Sequence, residues 1–323
     1  MERFTDTAWT EGDFNKATTS PSQTALQNSI WFIKYHLSPH LNFKPERPSI
    51  SFEAGKFVHE WFQQILVGQA KIEDVELHFK TFINNFDFGE RNNIKAQFIL
   101  RNIKGYVERH LMCIEEISDK FSNKISDHYL GWKVEEPLSD WYDDKYMGQT
   151  LNIATEGYID CVNDNEKKET EHKNRFGSVR NSPLKINRKD SNVNRIGDWV
   201  YSKSQPIKQP QFTHCIQTAV YSKHYNYEYK PYLIYVSDGG STIFTPDNCW
   251  ELTPEGLQYF FRKFIQINIK RQELLRAANG SIKKLACLID VDWSEIRNFK
   301  SNFMLENYDE EDMQRLEDFY EKL

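Results

Sequence analysis

The stretch from Glu156 to Asn174 reads EGYIDCVNDNEKKETEHKN and predicts two strands joined by a polar turn. The run from Asn163 to Glu166 in its middle is rich in Asn and Asp, which favour turns. Strand side chains alternate between faces with a period of two, so Glu171 and Lys173 share one face. If the chain returns antiparallel, Asp160 lies opposite this pair. The sequence therefore predicts two carboxylates and an ammonium group in one small volume.

Two carboxylates beside a lysine suit metal-assisted attack on a phosphodiester. Hard divalent cations such as Mg²⁺ bind oxygen ligands, and a bound cation activates water and polarises a phosphoryl oxygen. The same strand is also compatible with an exposed ladder of ion pairs along Glu169, Glu171 and Lys173. Glu169 is one pleat further from Lys173 and could face solvent instead.

Composition excludes several classes of protein. Of the 323 residues, 39% are hydrophobic and 27% are charged, which is typical of a globular rather than a disordered chain. The longest apolar runs, such as Tyr232 to Val236, are too short to cross a bilayer, so no membrane association is expected. The N-terminus lacks the apolar core of a secretory signal. We expect a cytoplasmic protein, or one of the host cytoplasm if it is viral.

The five cysteines show no CxxC or CxH spacing. That pattern argues against a zinc ribbon, an iron–sulfur cluster and a disulfide framework, and favours free thiols. The cysteines are Cys113, Cys161, Cys215, Cys249 and Cys287.

Charge is unevenly distributed along the chain. The net charge is −6, yet residues 175–208 contain eight basic and two acidic residues, a local charge of +6. A basic surface directly after the carboxylate–lysine strand would hold a phosphate backbone, with a solvated surface loop as the alternative. The residues predicted to bind nucleic acid are Arg175, Arg180, Lys185, Arg188, Lys189 and Arg195.

The hydropathy pattern predicts an α/β protein with a largely helical N-terminal third. Helical periodicity covers 24–38, 52–66, 72–84, 91–121, 211–225 and 253–278. Strand patterns cover 129–136, 151–162, 168–174, 230–237 and 241–245. Residues 176–210, with three prolines, predict a long loop.

Three regions are expected from these elements. Residues 1–50 form an N-terminal helical extension, and residues 51–250 form a core that contains a helical insert at 70–121. Residues 251–323 form a C-terminal helical region that ends in an acidic tail, which is a solvated helix or a docking surface for another protein.

Two further motifs flank the hairpin. Gly55 and His59 lie one helical turn apart, and Glu60 follows the histidine. Gln217 and Tyr221 are also four residues apart, so they share one face of a helix. A histidine among apolar neighbours is ordinarily structural, but the position of His59 ahead of the hairpin favours a functional role.

The order GxxxHE, GxxD, ExK and QxxxY resembles the RecB-like, QxxxY-containing branch of the PD-(D/E)XK nuclease superfamily. The resemblance covers roughly residues 52–225 and the hairpin that follows. Each motif is weak alone, whereas four motifs in the family order on the expected elements make a strong combined signal. The matching residues are Gly55, His59, Gly157, Asp160, Glu171, Lys173, Gln217 and Tyr221.

The resemblance implies a restriction-endonuclease-like core, with a small mixed sheet flanked by helices, and a deoxyribonuclease that uses Mg²⁺ or Mn²⁺. Lys173 would orient or help to deprotonate the attacking water and stabilise the developing charge. Gln217 and Tyr221 would position this lysine and the DNA strand. The implied metal ligands are the side chains of His59, Asp160 and Glu171 and the backbone carbonyl of His172.

An exonuclease that acts on DNA ends or single strands is the favoured activity, because family members with the QxxxY helix are mostly exonucleases. Members with an iron–sulfur cluster bind it through four cysteines that flank the core, so this chain resembles a cluster-free, phage-type member. Phage or host replication and recombination proteins are potential partners. The alternatives are a structure-specific endonuclease and an inactive nucleic-acid-binding protein with the same fold.

Overall fold

The computed structural model describes residues 18–24, 26–43, 49–86, 88–118, 131–152, 154–182, 195–297 and 308–323. The strands are β1 Thr18–Thr19, β2 Trp132–Asp140, β3 Lys145–Tyr146, β4 Gln149–Thr150, β5 Ala154–Asn163, β6 Lys168–Arg175, β7 Ser178–Asn181, β8 Arg195–Ile196, β9 Trp199–Ser202, β10 Lys230–Ser237 and β11 Gly240–Phe244. The helices are α1 Pro21–Thr24, α2 Asn28–Phe32, α3 Ser38–His40, α4 Ile50–Leu66, α5 Val75–Ile83, α6 Glu90–Leu100, α7 Ile103–Ile117, α8 Phe212–His224, α9 Pro254–Ala278, α10 Ile282–Leu288, α11 Trp293–Arg297 and α12 Glu310–Glu321.

A mixed sheet forms the centre of the protein, in the order β1-β5-β6-β10-β11, and β2 pairs with β5. Strands β5 and β6 are antiparallel, whereas β6 and β10 run parallel along their whole length. Strand β11 completes an antiparallel hairpin with β10. The chain is therefore an α/β protein, as its sequence predicts.

Helices cover both faces of this sheet. On one face, α4 to α7 pack over a cluster that includes Cys161, Ile234 and Val236. On the other face, α8 and α9 pack over Val162, Leu233 and Tyr235. Neighbouring residues of β5 and β10 thus enter opposite cores, as the two-residue period of a strand requires. Because β6 lies between β5 and β10, its side chains also lie between two helical layers.

The N-terminal and C-terminal helices pack against each other in a third apolar cluster. This cluster contains Ile30, Phe32 and Leu37 from the N-terminal side together with Leu285 and Leu316 from the C-terminal side. Two regions that are separate in the sequence therefore share one core. Helix α9 joins this cluster to the sheet, because it contributes to both clusters.

Local capping signals explain where the longest helix begins. The Thr253 side chain accepts a hydrogen bond from the Gly256 N–H, and Pro254 occupies the first helical turn, where no backbone donor is needed. Asn279 ends the helix in the left-handed conformation, with φ of 48°. The predicted helix over 253–278 and its Thr253 cap are confirmed.

Two predicted elements are wrong. The single helix predicted over 91–121 is two helices, because α6 and α7 are separated at Arg101–Asn102, and residues 119–121 lie outside the described residues. Residues 176–210 are not simply a loop, since β7, β9 and β8 form a small antiparallel sheet against α6. Residues 183–194 of this segment lie outside the described residues.

The carboxylate of Asp238 ties this small sheet to the end of β10. It accepts hydrogen bonds from the Gly177 N–H, the Tyr201 hydroxyl and the Ser204 N–H at 2.9–3.1 Å. A composition rich in serine, glycine and proline predicts a loop, because composition reflects only the local conformational preferences of the backbone. The contacts that order this segment come from a residue more than 30 positions away.

In the part of the chain that the structure describes, no helix is both long enough and apolar enough to span a membrane.

The shared core of the two terminal regions gives a first testable prediction. Replacing the fully buried Leu316 with alanine removes apolar contacts and leaves a cavity, so we expect the free energy of unfolding to fall by about 2–5 kcal/mol. The matched control is Leu288→Ala at a leucine that is 45% exposed, for which we expect a change of about 0.5 kcal/mol or less. Urea denaturation measures both. Equal effects of the two substitutions would contradict the packing of α12 on the N-terminal helices.

Candidate metal and catalytic site

Strands β5 and β6 stop pairing and separate at Asp160 and Glu171, two of the candidate site residues, and this point is called the fork of the hairpin. The pairing of the two strands runs from Asn163–Lys168 to Cys161–Thr170 and stops there. Asp160 and Glu171 are the next residues on each strand, so they lie across from each other where the ladder ends. The Asp160 side chain replaces the missing backbone contact, because its Oδ2 accepts the His172 N–H at 2.6 Å. The predicted antiparallel return of the chain is confirmed.

Burial dominates the electrostatics of the two carboxylates. Asp160 is 7% exposed and Glu171 is 1% exposed. Burial raises the pKa of Asp160 to about 7, although Lys173 and the His172 N–H oppose this change. Burial and the neighbouring Asp160 raise the pKa of Glu171 to about 7. Two acids held together in this way retain protons more strongly than acids in water do.

Lys173 forms an ion pair with Glu171 Oε1. Burial alone lowers the pKa of this lysine, but Glu171 and Asp160 outweigh that effect and raise the pKa above its ordinary value. The side chain remains 24% exposed, in contrast to the buried Glu171. The structure therefore places a positive charge between the buried carboxylates and solvent.

Helix α8 brings Gln217 and Tyr221 to one face of the sheet, beside each other. Both side chains are buried, and the Gln217 amide donates a hydrogen bond to the Tyr221 hydroxyl at 3.2 Å. Burial raises the pKa of Tyr221, and the charges of Glu171 and Asp160 raise it further. These two residues, predicted from their four-residue spacing, thus lie beside the carboxylates.

Helix α4 supplies His59 from the other face. Its Nε2 lies 3.4 Å from Asp160 Oδ1. Burial lowers the pKa of His59, which favours the neutral imidazole that a metal ion needs as a ligand. The ring stacks on Phe62, with centroids 5.3 Å apart, which fixes the orientation of the ring.

The glycines of the matching motifs have room for a side chain. A Cβ at Gly55 would approach only the Phe176 ring, at 4.0 Å, and one at Gly157 would meet Pro21 at 3.7 Å. Both are ordinary contact distances. These glycines therefore do not define the geometry of the site.

Two residues that no motif includes complete the cluster. Gln63 follows His59 by one helical turn, and its Nε2 lies 2.8 Å from His59 Nε2 and 2.9 Å from Glu135 Oε1. The same amide donates to the Asp160 backbone carbonyl at 2.9 Å. The spacing of His59 and Gln63 could have revealed Gln63, whereas nothing in the local pattern of β2 distinguishes Glu135.

The His172 side chain points away from the carboxylates. Its Nδ1 lies 2.9 Å from His110 Nδ1 on α7, and its Nε2 lies 3.0 Å from Thr170 Oγ1. The other His110 nitrogen contacts Asn174 Oδ1 at 2.9 Å. Only the backbone of His172 reaches the site, which is consistent with the backbone role that the motif implies.

Glu169 is buried rather than directed towards solvent. It is 1% exposed, and one carboxylate oxygen accepts a hydrogen bond from the Ser222 hydroxyl on α8. Burial raises its pKa to about 8. The exposed ladder of ion pairs along β6 is therefore ruled out, since Glu169 and Glu171 are both buried under α8.

Three of the six predicted nucleic-acid-binding residues lie in the described part of the chain. Arg175 donates to the Gln205 carbonyl at 3.1 Å, Arg195 donates to the Ser182 carbonyl at 2.6 Å, and Arg180 is exposed. Lys185, Arg188 and Lys189 lie outside the described residues.

The donor set is compatible with a divalent cation. One ligand atom each from His59, Glu135 and Asp160 lies within 4.8 Å of the others. Glu171 Oε2 is buried, and it has no hydrogen-bond partner among the described residues. A buried anionic oxygen without a donor is costly, and a bound cation relieves that cost.

Comparison with protein-family models finds no match, and comparison with curated proteins finds none. Among solved structures, the chain is similar to the protein described as "Crystal structure of SSO0001", with 13% identity over 66% of this chain and 85% of that chain. The TM-score is 0.26, which is too low to support a statement about fold or function.

The repulsion between the two carboxylates gives a second prediction. In Asp160→Asn, the amide oxygen can still accept the His172 N–H, and the amide nitrogen can donate to Glu171. With EDTA present, we expect the free energy of unfolding to rise by about 1–2 kcal/mol, because one of two facing buried charges is removed.

The matched control is Asp140→Asn on β2. The Asp140 side chain is 26% exposed, and its Oδ2 accepts a hydrogen bond from Tyr142 at 3.1 Å and lies 2.8 Å from His224 Nδ1, so its substitution should leave stability unchanged or lower it slightly. Denaturant titration in EDTA measures both variants. A loss of stability in Asp160→Asn would contradict the repulsion.

Proposed function

We propose that the protein is a divalent-metal-dependent deoxyribonuclease with a nuclease-type core. The observation that carries this proposal is the convergence of Asp160, Glu171, Lys173 and His59 where β5 and β6 separate. Buried carboxylates beside an ammonium group cost stability, and such costly arrangements are typical of functional sites. The order of the four motifs adds the reaction class, which is phosphodiester hydrolysis.

His59, Asp160 and Glu171 are the side chains proposed to bind Mg²⁺ or Mn²⁺, together with the His172 backbone carbonyl. When bound, the cation would lower the pKa of a coordinated water and neutralise charge on the phosphate. The imidazole fits Mn²⁺ better than Mg²⁺, which prefers oxygen ligands alone. Mn²⁺ is therefore the cation that we expect to bind more tightly.

The remaining residues of the site have electrostatic and positioning roles. In the hydrolysis, a water oxygen attacks phosphorus, the bond to the leaving sugar oxygen breaks, and that oxygen takes a proton. Lys173 stabilises the negative charge that develops on the phosphate during the attack. Its ammonium group is available for this role because Glu171 holds it at the exposed side of the site. Gln217 holds the Tyr221 hydroxyl beside the carboxylates, where the two residues would position Lys173 and the DNA strand.

DNA is the proposed substrate, and an exonuclease on ends or single strands is the favoured form of the activity. The basic residues Arg175, Arg180 and Arg195 support contact with phosphates, since Arg175 ends the strand that carries Lys173 and the other two lie on the small sheet that follows it in the chain. Of these three, Arg180 has the most exposed side chain. A sequence-independent charge contact of this kind suits an enzyme that must accept any DNA end.

Digestion of labelled DNA tests the proposal. Wild-type protein with Mn²⁺ or Mg²⁺ should degrade end-labelled linear DNA, and Lys173→Ala should lower the rate about 100-fold or more, because one charge that stabilises the transition state is lost. The control is Lys133→Ala on β2, where the lysine is exposed and pairs with Asp164, and this variant should keep the wild-type rate.

Circular single-stranded DNA separates the two forms of the activity. An exonuclease leaves it intact, whereas an endonuclease cuts it. If no DNA is cut in either metal, the proposal is wrong, and if Lys173→Ala cuts as fast as wild type, the assignment of the site is wrong.

A further inference from the structure

Glu135 reaches the metal-binding cluster from a strand that carries none of the matching motifs. It lies on β2, and its Oε1 is 3.8 Å from His59 Nε2. Half of its side-chain surface is exposed, whereas the Asp160 side chain is 10% exposed. The carboxylate therefore stands between the buried acids and solvent, on the side of Asp160 that faces His59.

The backbone at Glu135 is unusual for a strand. Its φ of 52° lies in the left-handed region, which residues with a Cβ adopt at a cost of about 1–3 kcal/mol. The recorded pairs of β2 and β5 on either side are Val134–Cys161 and Glu136–Ile159. Glu135 thus lies at the level of Asp160, the residue at the fork of the hairpin.

The distorted backbone at Glu135 also changes which apolar core the side chains of β2 and β5 enter. Val134 and Leu138 are an even number of residues apart, yet Val134 packs under α4 and α7, whereas Leu138 packs under α8 and α9. Cys161 and Ile159 on β5 differ in the same way. Both strands therefore reverse their alternation at the level of Glu135 and Asp160, which lets the two acids approach His59 together.

The polar groups around the Gln63 amide include more hydrogen-bond acceptors than the amide has protons to donate. The amide NH₂ group has two protons, but it lies within 2.9 Å of three acceptors, which are His59 Nε2, Glu135 Oε1 and the Asp160 carbonyl. Since an amide nitrogen only donates, the imidazole lone pair also points into the cluster. Independently, Glu171 Oε2 is buried and lacks a donor among the described residues. A cation supplies the positive charge that these groups lack.

We propose that Glu135 is a direct ligand of the divalent cation, which it binds together with His59 and Asp160. This assignment rests on the proposed function, because it adds a ligand to the same site. It also gives the positive φ of Glu135 a role, since the strained backbone delivers the carboxylate to the fork. One nitrogen and two carboxylate ligands suit Mn²⁺.

Calorimetric titration of the full chain with MnCl₂, after removal of metals with EDTA, tests this assignment without reference to cleavage. In Glu135→Gln, the amide oxygen can still accept the Gln63 hydrogen bond, but the charge is lost. We expect the Kd for Mn²⁺ to rise roughly tenfold or more. Glu136→Gln on the next residue is the matched control and should keep the wild-type Kd, while Asp160→Asn should lose measurable binding.

A second variant separates metal binding from folding. Glu135→Gly removes the carboxylate but accommodates the positive φ without steric cost, so we expect it to be at least as stable as wild type in EDTA and to bind Mn²⁺ as weakly as Glu135→Gln. If both variants bind Mn²⁺ within twofold of wild type while Asp160→Asn does not bind, the assignment of Glu135 is overturned and the proposed metal site stands. If wild type binds no Mn²⁺, the proposed function and this assignment both fail.

Discussion

The rest of the site depends on two carboxylates, Asp160 and Glu171, that face each other inside the protein where two strands separate. Burial raises the pKa of both, and the charge of Asp160 raises the pKa of Glu171 further, so ionised oxygens at this position require compensation. The His172 N–H and the Lys173 ammonium group provide part of that compensation. The unpartnered Oε2 of Glu171 shows that, among the described residues, the compensation is incomplete. A divalent cation would complete this compensation of charge, so metal binding would stabilise this region.

The three-layer architecture makes this arrangement possible. Because β6 lies between two helical layers, successive side chains along it enter different environments. Glu169 and Glu171 face α8, whereas His172 faces α7. Helix α4 approaches from the second layer and inserts His59 at the fork, so the site receives groups from both sides of the sheet. The apolar clusters on the two faces hold these elements in place, and the free energy of their burial offsets the cost of the charged centre.

Sequence reasoning was strongest where geometry is local. The register of the β5–β6 hairpin follows from its polar turn, so the sequence alone predicts that Asp160 lies opposite Glu171. Gln217 and Tyr221 share a helix face because they are four residues apart. The local pattern does not predict the burial of Glu169, because this burial depends on a contact with Ser222, 53 residues further along the chain. For the same reason, the local pattern predicts a loop for the segment that begins at Phe176, although hydrogen bonds to the distant Asp238 order it.

By itself, the sequence determined the α/β class, the hairpin with its acids and lysine, and the helical pair of Gln217 and Tyr221, because the periods of strands and helices are local properties. The resemblance also implied that His59 and Asp160 meet, and the tertiary structure brings them to 3.4 Å. Only the tertiary structure decided that Gln63 lies among three acceptors. It also placed Glu135 at the same point, through a positive φ that β2 adopts opposite Asp160. These contacts join residues that are dozens of positions apart, and their geometry depends on how the strands twist and how α4 packs on them.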